Sequence, residues 1–86
     1  MEILLAVFRS RTQTGVFADG MKRAGRCCTV VATPAGAGVG CGVSAKILRG
    51  DMPFARRLIL QYRLNGFEGF FIVKTVRGKT SVIRLN

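Results

Sequence analysis

The chain contains no histidine and no tryptophan, and its 14 lysines and arginines face only 4 acidic residues. Without histidine, the commonest general base near neutral pH is missing, and with it the usual nucleophile–base dyads and most zinc sites. The acids Glu2, Asp19, Asp51 and Glu68 are far apart in sequence, which argues against paired-carboxylate hydrolysis. A stand-alone enzyme is therefore not expected. Prolines number only 2 against 49% hydrophobic residues, a composition that argues against a disordered tail. The cysteines Cys27, Cys28 and Cys41 are too few, and too odd in number, for a disulfide framework.

No apolar run approaches the ~20 residues needed to cross a bilayer. The start, Met-Glu-Ile-Leu-Leu-Ala-Val-Phe-Arg, has an acid where a signal peptide carries positive charge. A cytoplasmic protein with reduced thiols and no cofactor is expected.

With 86 residues the chain makes one domain, residues 1–86. A domain of this size buries only about 60–65% of the surface exposed by its unfolded chain. The net charge of +10 predicts attraction to nucleic acid or to an acidic partner protein. The arginines are scattered from Arg9 to Arg84 without a dense run, so the charge defines a field rather than a site.

Ile3 to Phe8 is an unbroken apolar run and predicts a central strand covered on both faces. Ser10 followed by Gln13 fits a capping box, opening a helix to about Ala24 with Phe17, Met21 and Ala24 on one face. Lys22 and Arg23 suit its last turn, and Gly25 suits the residue just past its end. Cys27 to Thr33 predicts a second strand stopped by Pro34, with Cys27 and Cys28 as small hydrophobes inside the sheet. Val43 to Leu48 predicts a third. Asp51 is placed to cap a second helix from Met52, with Pro53 in its first turn and Asn65-Gly66 at its end. Phe67 to Val76 is a strand apolar on both faces, and Arg77-Gly78-Lys79 turns into a last strand, Thr80 to Leu85.

This order predicts an α+β fold: a ferredoxin-like βαββαβ sandwich, antiparallel, with two helices on one face, plus a short C-terminal hairpin strand. Residues 1–73 form its core and residues 74–86 a basic terminal hairpin. Helices on one face leave the other side of the doubly apolar strands to be covered. A hairpin strand, a partner or a second copy would serve, and a homodimer through the sheet is the simplest answer.

Ala32 to Lys46 contains the most unusual stretch, with Gly36, Gly38, Gly40 and Gly42 at alternate positions and Cys41 between the last two. Glycines admit positive φ, so successive N–H groups there can converge on an anion. Cys41 is then expected to be held out to solvent as a nucleophile, favoured by amide dipoles and by Lys46 and Arg9. The alternating glycines match neither the phosphate-binding loop G-x-x-x-x-G-K-[ST] nor the dinucleotide fingerprint. Adjacent Cys27 and Cys28 point to opposite faces of a strand, so no metal site is expected.

Val-Phe-Arg-Ser (residues 7–10), Thr-Pro (33–34) and Gly-Cys-Gly-Val-Ser-Ala-Lys (40–46) give the chain a motif that resembles the Se/S carrier-like family of small bacterial domains. The resemblance spans residues 1–73. It implies that Cys41 is the carrier residue and that Ser10, Pro34 and Gly42 belong to its motif. The chain departs from the family where Ala35 and glycines replace a Pro-Arg pair and serines, and where the hairpin after Val73 extends the domain.

Two functions of different class follow. One is a carrier that accepts sulfur or selenium on Cys41 from a donor enzyme and passes it to an acceptor protein, the basic surface steering it to acidic partners. The other is a small nucleic-acid-binding module in which Phe70 and Phe71 stack on bases. A purely structural dimer subunit is the remaining alternative.

Overall fold

The computed structural model describes residues 2–38 and 40–85. Its centre is β1 (Glu2–Phe8). The apolar run works on both sides: Leu4, Ala6 and Phe8 point to one face, Leu5 and Val7 to the other, and all five are buried. The further strands are β2 (Cys28–Ala32), β3 (Val43–Ile47), β4 (Phe67–Val76) and β5 (Lys79–Leu85). They form one sheet in the order β2-β3-β1-β4-β5, with every neighbouring pair antiparallel. With α1 (Arg11–Arg23) and α2 (Met52–Gln61) the fold is α+β.

Both helices pack on the Leu4 face, through Phe17, Ala18 and Met21 from α1 and Ala55, Leu58 and Ile59 from α2. They meet closely at Gly20, where an added Cβ would sit 2.8 Å from Tyr62 Cε2. Ser10 caps α1, its Oγ accepting from the Gln13 N–H at 3.3 Å. The other half of the expected capping box is absent. Gln13 instead accepts from the Gly66 N–H at 2.8 Å and donates to Asn65 Oδ1 at 2.9 Å, stapling the helix start to the turn before β4. At the other end, Gly25 N–H reaches the Lys22 carbonyl and Arg26 N–H that of Met21, the paired bonds of a Schellman cap with Gly25 at φ 76°. Ala24 is exposed at that cap rather than on the core face.

Three further local expectations are corrected. Asp51 precedes α2 but makes no side-chain capping bond. Its carboxylate pairs with Arg26 Nη1 at 2.9 Å, a charge-assisted contact between the end of α1 and the start of α2. The second helix ends at Gln61, before Asn65-Gly66, because Arg63 takes the left-handed position at φ 53° and the Leu64 N–H closes back on Ile59. Cys27 lies outside β2 and is exposed, whereas Cys28 joins the core.

The second face is covered from within the chain. Leu5, Val7, Phe71 and Val73 are buried there, with Ile3, Val31, Ala37 and Val82 packed against them. Ala37 comes from the glycine loop, so burial of this face does not require a second copy. β4 and β5 are joined by a two-residue turn, Arg77-Gly78, with positive φ at both positions (51° and 77°), as the right-handed strand twist favours.

Candidate functional site

The loop from Thr33 to Gly42 is laid across the second sheet face rather than held away from it. Its base is closed by the Thr33 N–H donating to the Gly42 carbonyl at 2.9 Å. Beside this bond the Thr33 and Ser44 hydroxyls meet at 2.5 Å, which satisfies the buried Ser44. Pro34 is extended (φ −62°, ψ 142°) and leads into one turn of 3-10 helix, Ala35–Ala37. Gly36 sits against β5, where an added Cβ would stand 3.1 Å from Val82 Cγ2. Positive φ is needed at Gly38, Gly40 and Gly42, and Gly40 has a second reason to lack a side chain: a Cβ there would lie 2.7 Å from Val7 Cγ1.

An open depression of about 280 Å³ lies over the loop, lined by Thr33, Pro34, Ala35, Gly38, Gly40 and Gly42. Pro34 and three of the four expected glycines are thus brought together. Cys41 does not line the depression. Its thiol is half-buried and turned toward α1, with Sγ 3.8 Å from Thr14 Oγ1 and donating to the Val43 carbonyl at 3.6 Å. Thr14 is buried and its hydroxyl donates to the Ser10 carbonyl at 3.1 Å. Ser10 therefore reaches Cys41 through Thr14.

Thr14 was not anticipated. Its signal lay in the helix pattern, because position 14 shares the core-facing stripe with Phe17, Ala18 and Met21, and a hydroxyl on that stripe needs a partner.

The two cations are elsewhere. Arg9 is exposed and bonds Glu68 (Nε to Oε1, 3.1 Å) and the Asn65 carbonyl. Lys46 pairs in register with Leu5 and Thr29, which puts it on the loop-covered side of the sheet. Cys41 contacts the helix side, so the sheet separates them.

The three thiols have different surroundings. Cys27 is exposed and Cys41 half-buried. Cys28 is buried, and burial pushes its pKa above the ordinary value, with Lys22 nearby acting in the opposite sense. Phe70 lies beneath the helices and Phe71 beneath the loop, both buried, so neither ring is available to stack on a base. Among the described residues no group of three or more potential ligands is placed to hold a metal ion, and no helix is long and apolar enough to cross a membrane. No family model, no curated protein and no solved structure matches the chain.

Proposed function

We propose that the protein is a carrier that holds sulfur or selenium on Cys41, a ferredoxin-like member of the Se/S carrier-like group rather than an enzyme, working in the cytoplasm. The observation that carries this reading is the setting of Cys41: a half-buried thiol between the Thr14 hydroxyl and the Val43 carbonyl, on a loop whose turns depend on glycine. The strand order β2-β3-β1-β4, with α1 and α2 as its two crossovers and β5 appended, supports the fold assignment.

In the loading step the Cys41 thiolate attacks the outer sulfur of a donor persulfide. A new S–S bond forms to Cys41, the donor's own S–S bond breaks, and the donor leaves as a thiolate, so no outside oxidant or reductant enters. A donor selenopersulfide reacts in the same way at selenium, leaving Cys41–S–SeH. Thr14 can turn its hydroxyl from the Ser10 carbonyl toward the loaded group, and partial burial keeps that group from bulk thiols. Delivery reverses the step, with an acceptor nucleophile attacking the outer atom. The charge of +10 favours donor and acceptor surfaces that are acidic.

The nucleic-acid reading loses its stacking platform with Phe70 and Phe71 buried. Intact mass under non-reducing conditions, after incubation with a cysteine desulfurase and cysteine, tests the carrier. A gain of one sulfur atom in a Cys27→Ser background, reversed by reductant and absent when Cys41→Ser is added, is the expected result. No adduct on an accessible Cys41 would overturn it.

A further inference from the structure

β5 ends the sheet, so one side of its backbone is an open edge. The two-residue turn at Arg77-Gly78 makes Val76 and Lys79 a hydrogen-bonded pair. The alternation of antiparallel pairs then points the N–H and C=O groups of Thr80, Val82 and Arg84 outward. A row of outward backbone groups is a template for another strand. The opposite edge, β2, is shorter, at 5 residues against 7, and carries no charged side chain. On β5, Lys79 and Ile83 flank the edge on the helix side, where Ile83 is 46% exposed. Arg84 flanks it on the other side, with its guanidinium over Phe71 and bonded to the Glu68 carbonyl.

Charge decides what fits there. Residues 74–85 include Lys74, Arg77, Lys79 and Arg84 and no acid. Lys74 is paired with Glu2, whereas Arg77 and Lys79 make no ion pair among the described residues. A second copy would bring a chain of +10 against another of +10, with two such basic edges side by side. An acidic strand meets the opposite field.

We infer that the outer edge of β5 takes an extended acidic segment of a partner protein as a sixth strand. For an antiparallel partner the register sets a pattern. An apolar residue stands opposite Ile83, the residue before it is a carboxylate beside Arg84, and the residue four places after it is a carboxylate beside Lys79. None of these contacts involves Cys41, so the surface stands apart from the carrier chemistry.

The test is fluorescence anisotropy with a labelled synthetic peptide carrying Glu-Ile-Thr-Val-Thr-Glu, titrated with the full chain. Saturable binding is expected. Thr80→Pro removes an outward N–H and leaves the β4–β5 ladder donors in place, so it weakens binding about tenfold with the thermal melt little changed. Lys79→Glu, which keeps every backbone donor, weakens it by about fivefold at low salt. A peptide of the same charge with prolines replacing the threonines binds at least about tenfold less tightly.

Equal binding of the proline peptide would overturn the proposal in favour of charge attraction alone. Unchanged binding by folded Thr80→Pro would overturn it, as would unchanged binding by Lys79→Glu. Self-association in sedimentation that Thr80→Pro abolishes would assign the edge to a second copy. Edge-dependent binding of a single-stranded oligonucleotide more tightly than the peptide would assign it to nucleic acid.

Discussion

Thr14 Oγ1 on α1 and Cys41 Sγ on the glycine loop lie 3.8 Å apart, across 27 positions of sequence. Because the Thr14 hydroxyl also reaches the Ser10 carbonyl, the helix cap, the second turn of the helix and the loop thiol form one connected set. The accessibility of the thiol is thereby tied to the start of a helix.

Replacing Thr14→Val keeps the shape of the side chain and removes its hydroxyl. The expected outcome is a loss of about 1 kcal/mol in urea unfolding and faster alkylation of Cys41. The rate is read in a Cys27→Ser background, so that the exposed thiol does not dominate. An unchanged rate would mean that Thr14 does not restrain Cys41.

Two glycines of the loop separate backbone strain from packing. Gly38 (φ 67°) has open space where a Cβ would go, whereas Gly40 (φ 100°) has Val7 in the way. Gly38→Ala is expected to cost about 1 kcal/mol, the left-handed penalty alone. Gly40→Ala adds overpacking and is expected to cost about 3 kcal/mol. Denaturant midpoints of the two variants make the comparison.

Alkaline pH should weaken the fold through Cys28. Burial raises its pKa in the folded state, so above the unfolded value, 9.0, the unfolded chain loses a proton that the folded chain retains. Stability from this group is complete below that pH and falls as pH rises through the folded pKa. Urea midpoints at pH 8 and pH 10 should fall more for the native chain than for Cys28→Ala.

Two arginines occupy backbone positions that suit other residues. Arg63 (φ 53°) follows α2 where glycine is favoured, and Arg77 (φ 51°) opens a turn that prefers asparagine. Arg63→Gly and Arg77→Asn should each raise stability by about 0.5–1 kcal/mol, measured as an increase in Tm.

The strands were legible because their side chains carry the pattern: Leu4 to Phe8 and Phe70 to Val73 are apolar on both sides and are buried on both. What covers the second face was not legible, because Gly36 and Ala37 have almost no hydrophobic signature. They fit there because they are small. Asp51 looked like a helix cap by its neighbours, and the competing partner, Arg26, comes from the far end of α1. The end of α2 was misplaced because the left-handed residue is an arginine, and Asn65-Gly66 just beyond it offered the stronger local signal. At the site, positive φ at Gly38, Gly40 and Gly42 followed from residue type. The direction of Cys41 followed from β3 register and the placement of α1, which only the assembled fold supplies.

The contact of Gly36 with Val82 has a kinetic consequence. It joins a residue before the midpoint of the chain to one in the last strand, so during synthesis the loop cannot complete its packing until β5 has left the ribosome. The helix-side core, built largely from residues 4–72, can form earlier. The smaller core should then be the last to close and the first to reopen, a separate unit in hydrogen exchange. Its reopening would loosen the loop around Cys41 while the sheet and helices remain folded.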